Sequence, residues 1–162
     1  MPFVKIWIHA VWTTKNRAPL LDKKIRQTVF EHIHQNAMVK DIFIDIVNGY
    51  SEHVHCLFRL KNDQTISKVM QLIKGESSFW INHQKLTRIK FQWEDKYFAV
   101  SVGESQVNTV RKYIQNQEEH HNKKTFAQEY VEFINKYDFS FYLFSIPALQ
   151  ISNRRYFYYF SY

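Results

Sequence analysis

Residues 42–50 (IFIDIVNGY) and 52–60 (EHVHCLFRL) are rich in β-branched and aromatic side chains, and one residue separates them. Such side chains suit a pleated, half-buried surface. A turn this short predicts that the two strands pair as an antiparallel hairpin. The hydrophobic period then changes in a definite order around the hairpin. Residues 3–12 read as an earlier strand, broken by the run from Asn16 to Pro19. Asp22 is placed to cap a helix over Lys23–Ala37, with Ile25, Val29, Ile33 and Ala37 at helical spacing. Thr65 is placed likewise for a helix whose buried side is Ile66, Val69, Met70, Ile73 and Trp80. Residues 91–102 form a fourth strand with an interruption near Asp95. Ser105 would cap a helix to about His120, striped by Val107, Val110 and Ile114, and Thr125 a last helix, TFAQEYVEFINKY.

Strand, helix, strand, strand, helix, strand is the split βαβ order. It predicts an α+β, ferredoxin-like, four-stranded antiparallel sheet with helices on one face, followed by C-terminal helices. A chain of 162 residues is expected to hold one such domain, over 1–144, with a tail 145–162 lacking clean periodicity. The hydrophobic fraction of 45% excludes a disordered chain. Lys and Arg outnumber Asp and Glu by 22 to 15, and the net charge of +7 favours a polyanionic partner. Cys56 is the only cysteine, so no internal disulfide forms and a reducing compartment is expected. MPFVKIWIHAVW lacks a signal-peptide pattern, and no run is long and apolar enough to cross a bilayer. The expectation is a cytoplasmic protein without a membrane partner.

Two constellations could carry chemistry. In a strand, alternate side chains share a face. Val54, Cys56, Phe58 and Leu60 would face the core, and His53, His55, Leu57 and Arg59 the open side. Two imidazoles so placed can reach one divalent ion, with Glu52 supporting them from behind. The plainer reading is a pair of surface histidines. The second constellation is the helix RKYIQNQEEHH, where Tyr113 and Gln117 stand at i and i+4 and His120 and His121 follow one turn on. A tyrosine there is ordinarily a packing residue. Together the two are more telling. A phenol of pKa about 10 is a poor nucleophile at neutral pH, and a metal on a phosphate makes its attack feasible. Gln117 would complete the metal shell, and imidazole with oxygen ligands suits Mg²⁺ or Mn²⁺. His120 and His121 would assist the metal or lie on the surface, and His9 would be structural or support a ligand.

At these residues the sequence resembles the single-tyrosine transposases of small bacterial insertion sequences, within the His-hydrophobe-His endonucleases. The repeat-associated tyrosine transposases belong to that group. Five blocks in order carry the likeness: VWTTKNRAPLL, SEHVHCLFRL, LIKGESSFWINHQ, FQWEDKYFAVSVGES and VRKYIQNQEEHHNKKTF. They span about residues 5–144. The resemblance implies a homodimer of ferredoxin-like domains with His53 and His55 on the metal and Gln117 as third ligand. It implies that Tyr113 attacks single-stranded DNA, forms a 5′-phosphotyrosine and releases a 3′-hydroxyl. The tyrosine helix would serve its own subunit or its partner. Where relatives often carry a glycine after the tryptophan of the fourth-strand block, this chain has Lys96-Tyr97-Phe98.

Lys15, Arg17, Arg111 and Lys112 are the expected phosphate contacts, with Lys85, Arg88, Lys90, Lys123 and Lys124 as further basic positions. Trp80, Trp93 and Tyr97 could stack bases or pack in the core. The partner would be single-stranded DNA, with hairpin-containing element ends. The alternatives are a domesticated relative that processes chromosomal repeats, a non-catalytic single-strand-binding module, and a metal phosphodiesterase that uses water.

Overall fold

The structure, a computed structural model, describes residues 3–137. The expected boundary at 144 and the tail 145–162 lie outside the described residues. The chain divides into two compact units, residues 1–126 and 127–162.

The first unit runs β1 (Ile6–Thr14), α1 (Lys23–Val39), β2 (Phe43–Gly49), β3 (His53–Leu60), α2 (Ile66–His83), β4 (Trp93–Val102), α3 (Val107–Gln115) and α4 (Gln117–His121). The strands lie in the order β2-β3-β1-β4, with every neighbouring pair antiparallel. This is the expected α+β, ferredoxin-like arrangement. Ile8, Ala10 and Trp12 of β1 and Val54, Cys56 and Phe58 of β3 point to one face and build the main core with α1 and α2. Burying each large apolar side chain there contributes roughly 1.5–3 kcal/mol. The caps of α1 and α2 form as predicted. Asp22 accepts from the amides of Lys24 and Ile25, and Thr65 from that of Lys68.

The opposite face departs from expectation. It is covered rather than open, and His53 and His55 are 0% and 1% exposed. The cause is the apolar stripe of α3, which needs a partner. Trp7, Leu57 and Val102 on the sheet supply it to Val107 and Ile114. The helix expected from Ser105 to His120 is also two helices. A 3-10 turn over Glu104–Gln106 opens the segment with no side-chain cap bond, and the chain turns at Asn116, with φ −95° and ψ 23°.

Two strand irregularities aim side chains. In β2 the register with β3 shifts between Ile44 and Ile46, so Asp45 is an extra residue. Because side chains alternate, that one insertion reverses the parity downstream. Ile44 faces the main core, whereas Ile46 joins the α3 side and Asn48 pairs opposite His55. The interruption expected near Asp95 is a shift where β4 crosses Trp12 and Thr14 of β1. Lys74 of α2 donates to the loosened carbonyls of Glu94 and Asp95, at 2.7 and 2.8 Å. Beyond it β4 continues through Lys96, Tyr97 and Phe98 without a break. At the hairpin, a Cβ on Gly49 would lie 2.1 Å from the His53 carbonyl oxygen, so only glycine fits.

In the second unit the described element is α5 (Phe126–Lys136), which starts at the boundary residue. Its Tyr130, Phe133 and Ile134 lie on one stripe. Among the described residues, no helix is long and apolar enough to cross a membrane.

Candidate active site

The covered face gathers the histidines. His53 turns its Nδ1 toward Glu52 Oε1, at 3.2 Å, and Ser51 donates its hydroxyl to the same carboxylate. This contact orients the ring. His53 Nε2 then lies 3.2 Å from Gln117 Oε1 and 3.2 Å from His121 Nε2. His55, two residues on, has its Nδ1 3.1 Å from His9 Nε2, and the two rings stack at 5.3 Å. His9 therefore supports His55 as Glu52 supports His53.

Tyr113 arrives from α3. Its neighbour Ile114 is fully buried in the apolar seam, which leaves Tyr113 half-buried at the edge of that seam. Its ring meets His55 edge-on at 5.5 Å, His120 at 5.0 Å and His9 at 6.2 Å. The two adjacent histidines thus divide: His120 approaches the phenol, and His121 approaches His53. Gln117 is fully buried. Tyr113 and Gln117 were expected to meet the site along one helix, at i and i+4. They do so across the turn at Asn116 instead.

Asn48 accounts for that turn. The last carbonyls of a helix have no partner within it. Asn48 Nδ2 donates to the carbonyls of Ile114 and Gln115, at 2.9 and 3.1 Å. The bulge at Asp45 is what points Asn48 this way. The bulged Asp45 itself accepts two hydrogen bonds from the Arg111 guanidinium, at 2.6 and 3.2 Å, which ties α3 to β2.

Burial holds the His55 imidazole well below its usual pKa, helped by the charges of neighbouring histidines. Burial and then His53 lower His121 to about 4. Both rings are neutral near pH 7, the form that ligates metals. Burial alone would raise Glu52, but hydrogen bonds from His53 and Ser51 outweigh it and lower the carboxyl. Donor atoms of Glu52, His53 and His121 lie within 4.8 Å of one another. Neutral nitrogens and oxygens converging beside a carboxylate fit a divalent cation.

The expected DNA contacts fare unevenly. Lys15 is engaged by Glu94 at 2.9 Å and Asp95 at 3.9 Å. Arg17 stands in the left-handed region (φ 55°) with its guanidinium 5.5 Å from the Phe126 ring centre. Arg111 has the structural partner just described. Lys112 is exposed on α3. Trp93 is buried and donates to Ser77 at 2.9 Å, and Trp80 stacks on His32 at 3.8 Å. Both have packing roles.

Sequence reasoning missed Asn48, Tyr50, Arg26 and Glu118. Tyr50 stacks on His121 at 4.5 Å with rings 9° apart, and Arg26 lies 4.9 Å over Tyr50 and pairs with Glu118. Nothing in their spacing signals the site, because each reaches it through a bulge, a turn or a contact between layers.

An antiparallel sheet of this order, with a histidine pair on one strand and a tyrosine helix laid over it, defines a ferredoxin-like fold with a polar site on one face of its sheet. The family model described as "Transposase IS200 like" matches residues 3–117, and the chain belongs to that family. A solved candidate transposase from Deinococcus radiodurans R1 is similar, with TM-score 0.57 and 19% identity over 72% of this chain and 93% of that one. A REP-associated tyrosine transposase, solved bound to a REP hairpin, is similar with TM-score 0.52 and 16% identity, over 76% of this chain and 71% of that one. At these identities the two structures speak for the fold. Comparison with curated proteins finds no match.

Proposed function

We propose that this transposase cleaves and rejoins single-stranded DNA by transesterification through Tyr113. The observation that carries the reading is the meeting of Tyr113 and His55, 5.5 Å apart, beside a His53 nitrogen that faces Gln117 and His121. Tyr113 Oη forms a bond to the scissile phosphorus, and the bond from phosphorus to the 3′-oxygen breaks. The phenol gives up its proton and the departing 3′-oxygen gains one, leaving a 3′-hydroxyl and a 5′-phosphotyrosine. Attack by another 3′-hydroxyl reverses the exchange and regenerates the phenol. The bond energy stays in the ester, so no nucleotide cofactor is required.

His53, His55 and Gln117 would hold a divalent metal, Mg²⁺ or Mn²⁺, with His121 and Glu52 beside them. Such an ion, when bound, stabilises charge on the phosphate oxygens. Glu52 and His9 orient the two histidines by their Nδ1 atoms. His120, against the Tyr113 ring, stands where it can exchange the phenol proton. Ile114 and Asn48 keep the tyrosine at the mouth of the site rather than inside the seam.

The substrate we propose is single-stranded DNA with a hairpin at the element's end. The hairpin-bound neighbour favours this, and favours chromosomal repeats as a second substrate of the same chemistry. Lys112 and the net charge of +7 would support phosphate contacts. Working as a homodimer in the cytoplasm completes the proposal. The test is a labelled hairpin oligonucleotide incubated with Mn²⁺. Wild type is expected to form a covalent protein–DNA adduct stable to denaturant, and Tyr113→Phe to lose it by roughly 10⁴-fold or more while still binding DNA. Cleavage by the Phe variant at the wild-type rate would remove Tyr113 from its role, and cleavage without any adduct would favour water as the nucleophile.

A further inference from the structure

We infer that Arg26 is a positioning residue of this site, setting His121 beside His53 from the opposite layer of the fold. The inference rests on the proposed metal reading of His53. Arg26 lies in the first turn of α1, and its side chain is 9% exposed. It holds two groups at once. Its guanidinium donates to Glu118 Oε1 and covers the Tyr50 ring at 4.9 Å. The Tyr50 ring in turn stacks on His121 at 4.5 Å, nearly parallel. His121 Nε2 then stands 3.2 Å from His53 Nε2.

The need for such a clamp follows from α4. A helix of five residues is far too short to hold itself together. It follows the turn at Asn116 and has no side-chain cap bond. Its orientation must come from tertiary contacts. Glu118 and His121 are three residues apart and share a helix face, so Arg26 reaches both, one directly and one through Tyr50. Lys23 also approaches Glu118, at 3.6 Å, but is 83% exposed and contributes little. A planar, forked guanidinium can pair with a carboxylate while lying on an aromatic ring; an ammonium cannot match both contacts. The family match ends at Gln117, so Glu118 and His121 belong to the part of the chain beyond it.

The experiment measures Mn²⁺ affinity of the full chain without DNA, by electron paramagnetic resonance titration, and the His121 ring resonances of the metal-free chain by NMR. Arg26→Gln should weaken Mn²⁺ binding by about 10-fold, the scale seen when a group behind a ligand is lost. Arg26→Lys should resemble Arg26→Gln more than wild type. His121→Ala should weaken binding comparably, and adding Arg26→Gln to it should cost no more, because both act through one ring. Glu118→Gln, at an exposed position that should not disturb folding, should give a smaller loss with the same non-additivity. Wild-type affinity in Arg26→Gln, or full additivity with His121→Ala, overturns the inference. If His53→Ala binds Mn²⁺ as tightly as wild type, the metal reading is what fails. The His121 resonances then decide Arg26 alone: a shift away from the stacked position in Arg26→Gln supports it, and unchanged resonances overturn it.

Discussion

The two faces of the sheet are made by the same strands and do different work. On one face, Ile8, Ala10, Trp12, Val54, Cys56 and Phe58 meet two long helices in an apolar core. On the other, His9, His53 and His55 are buried almost as deeply, but among imidazoles, a carboxylate and an amide. An apolar face gains from burial directly. A polar face is buried at a cost unless each group has a partner. The helices over the second face therefore supply both kinds of contact: Val107 and Ile114 of α3 for the apolar seam, and Tyr113 of α3 with Gln117 of α4 for the histidines. Burial on the first face holds the fold together, and on the second it prepares a site.

That contrast is most sharply tested by one substitution on each face. His53→Ala should reduce DNA adduct formation by roughly 10³-fold, the scale of losing one group that stabilises developing charge, and lower unfolding free energy by only about 1–3 kcal/mol, the cost of leaving its buried partners unpaired. Phe58→Ala, five residues on and on the other face, should lower unfolding free energy by about 3–5 kcal/mol. Denaturant unfolding and adduct assays on both variants measure the separation. If His53→Ala unfolded as easily as Phe58→Ala, the histidine face would be core and nothing more.

A smaller effect is expected at Asn48, which joins the faces' logic. Asn48→Ala strips the last carbonyls of α3 of their donor and should cost about 1–3 kcal/mol. Adduct formation should fall by more than the stability change explains, because Gln117 loses its orientation. Equal activity at matched stability would make Asn48 a plain helix cap.

The smallest effect is in pH. The unfolded chain binds a proton at His55 below about pH 6.5, whereas burial keeps the folded residue neutral far lower. The folded pKa is depressed, so this contribution to stability is present above about 6.5 and is lost as pH falls. The slope for one such group is at most about 1.4 kcal/mol per pH unit. Unfolding of the metal-free chain followed from pH 7.5 to 5 should show that decline, and His55→Gln should flatten it. Identical profiles for the two proteins would mean that His55 is solvated.

Alternation in β3 by itself separated Phe58 from His55, and the period of the flanking segments by itself yielded the βαββαβ order. Both depend only on backbone geometry, which repeats every two or 3.6 residues wherever the chain goes. The helix caps at Asp22 and Thr65 were legible for the same reason, since their hydrogen bonds span two or three residues. The candidate site was legible as to His53, His55, Tyr113 and Gln117, through the order of the blocks around them. The extra residue at Asp45, the turn at Asn116 and the stack from Arg26 through Tyr50 to His121 were decided by tertiary structure. Each joins residues tens of positions apart, and no local period encodes which layer covers which face. Burial of the histidine face follows from the same source, because it required α3 to find an apolar seam on the sheet.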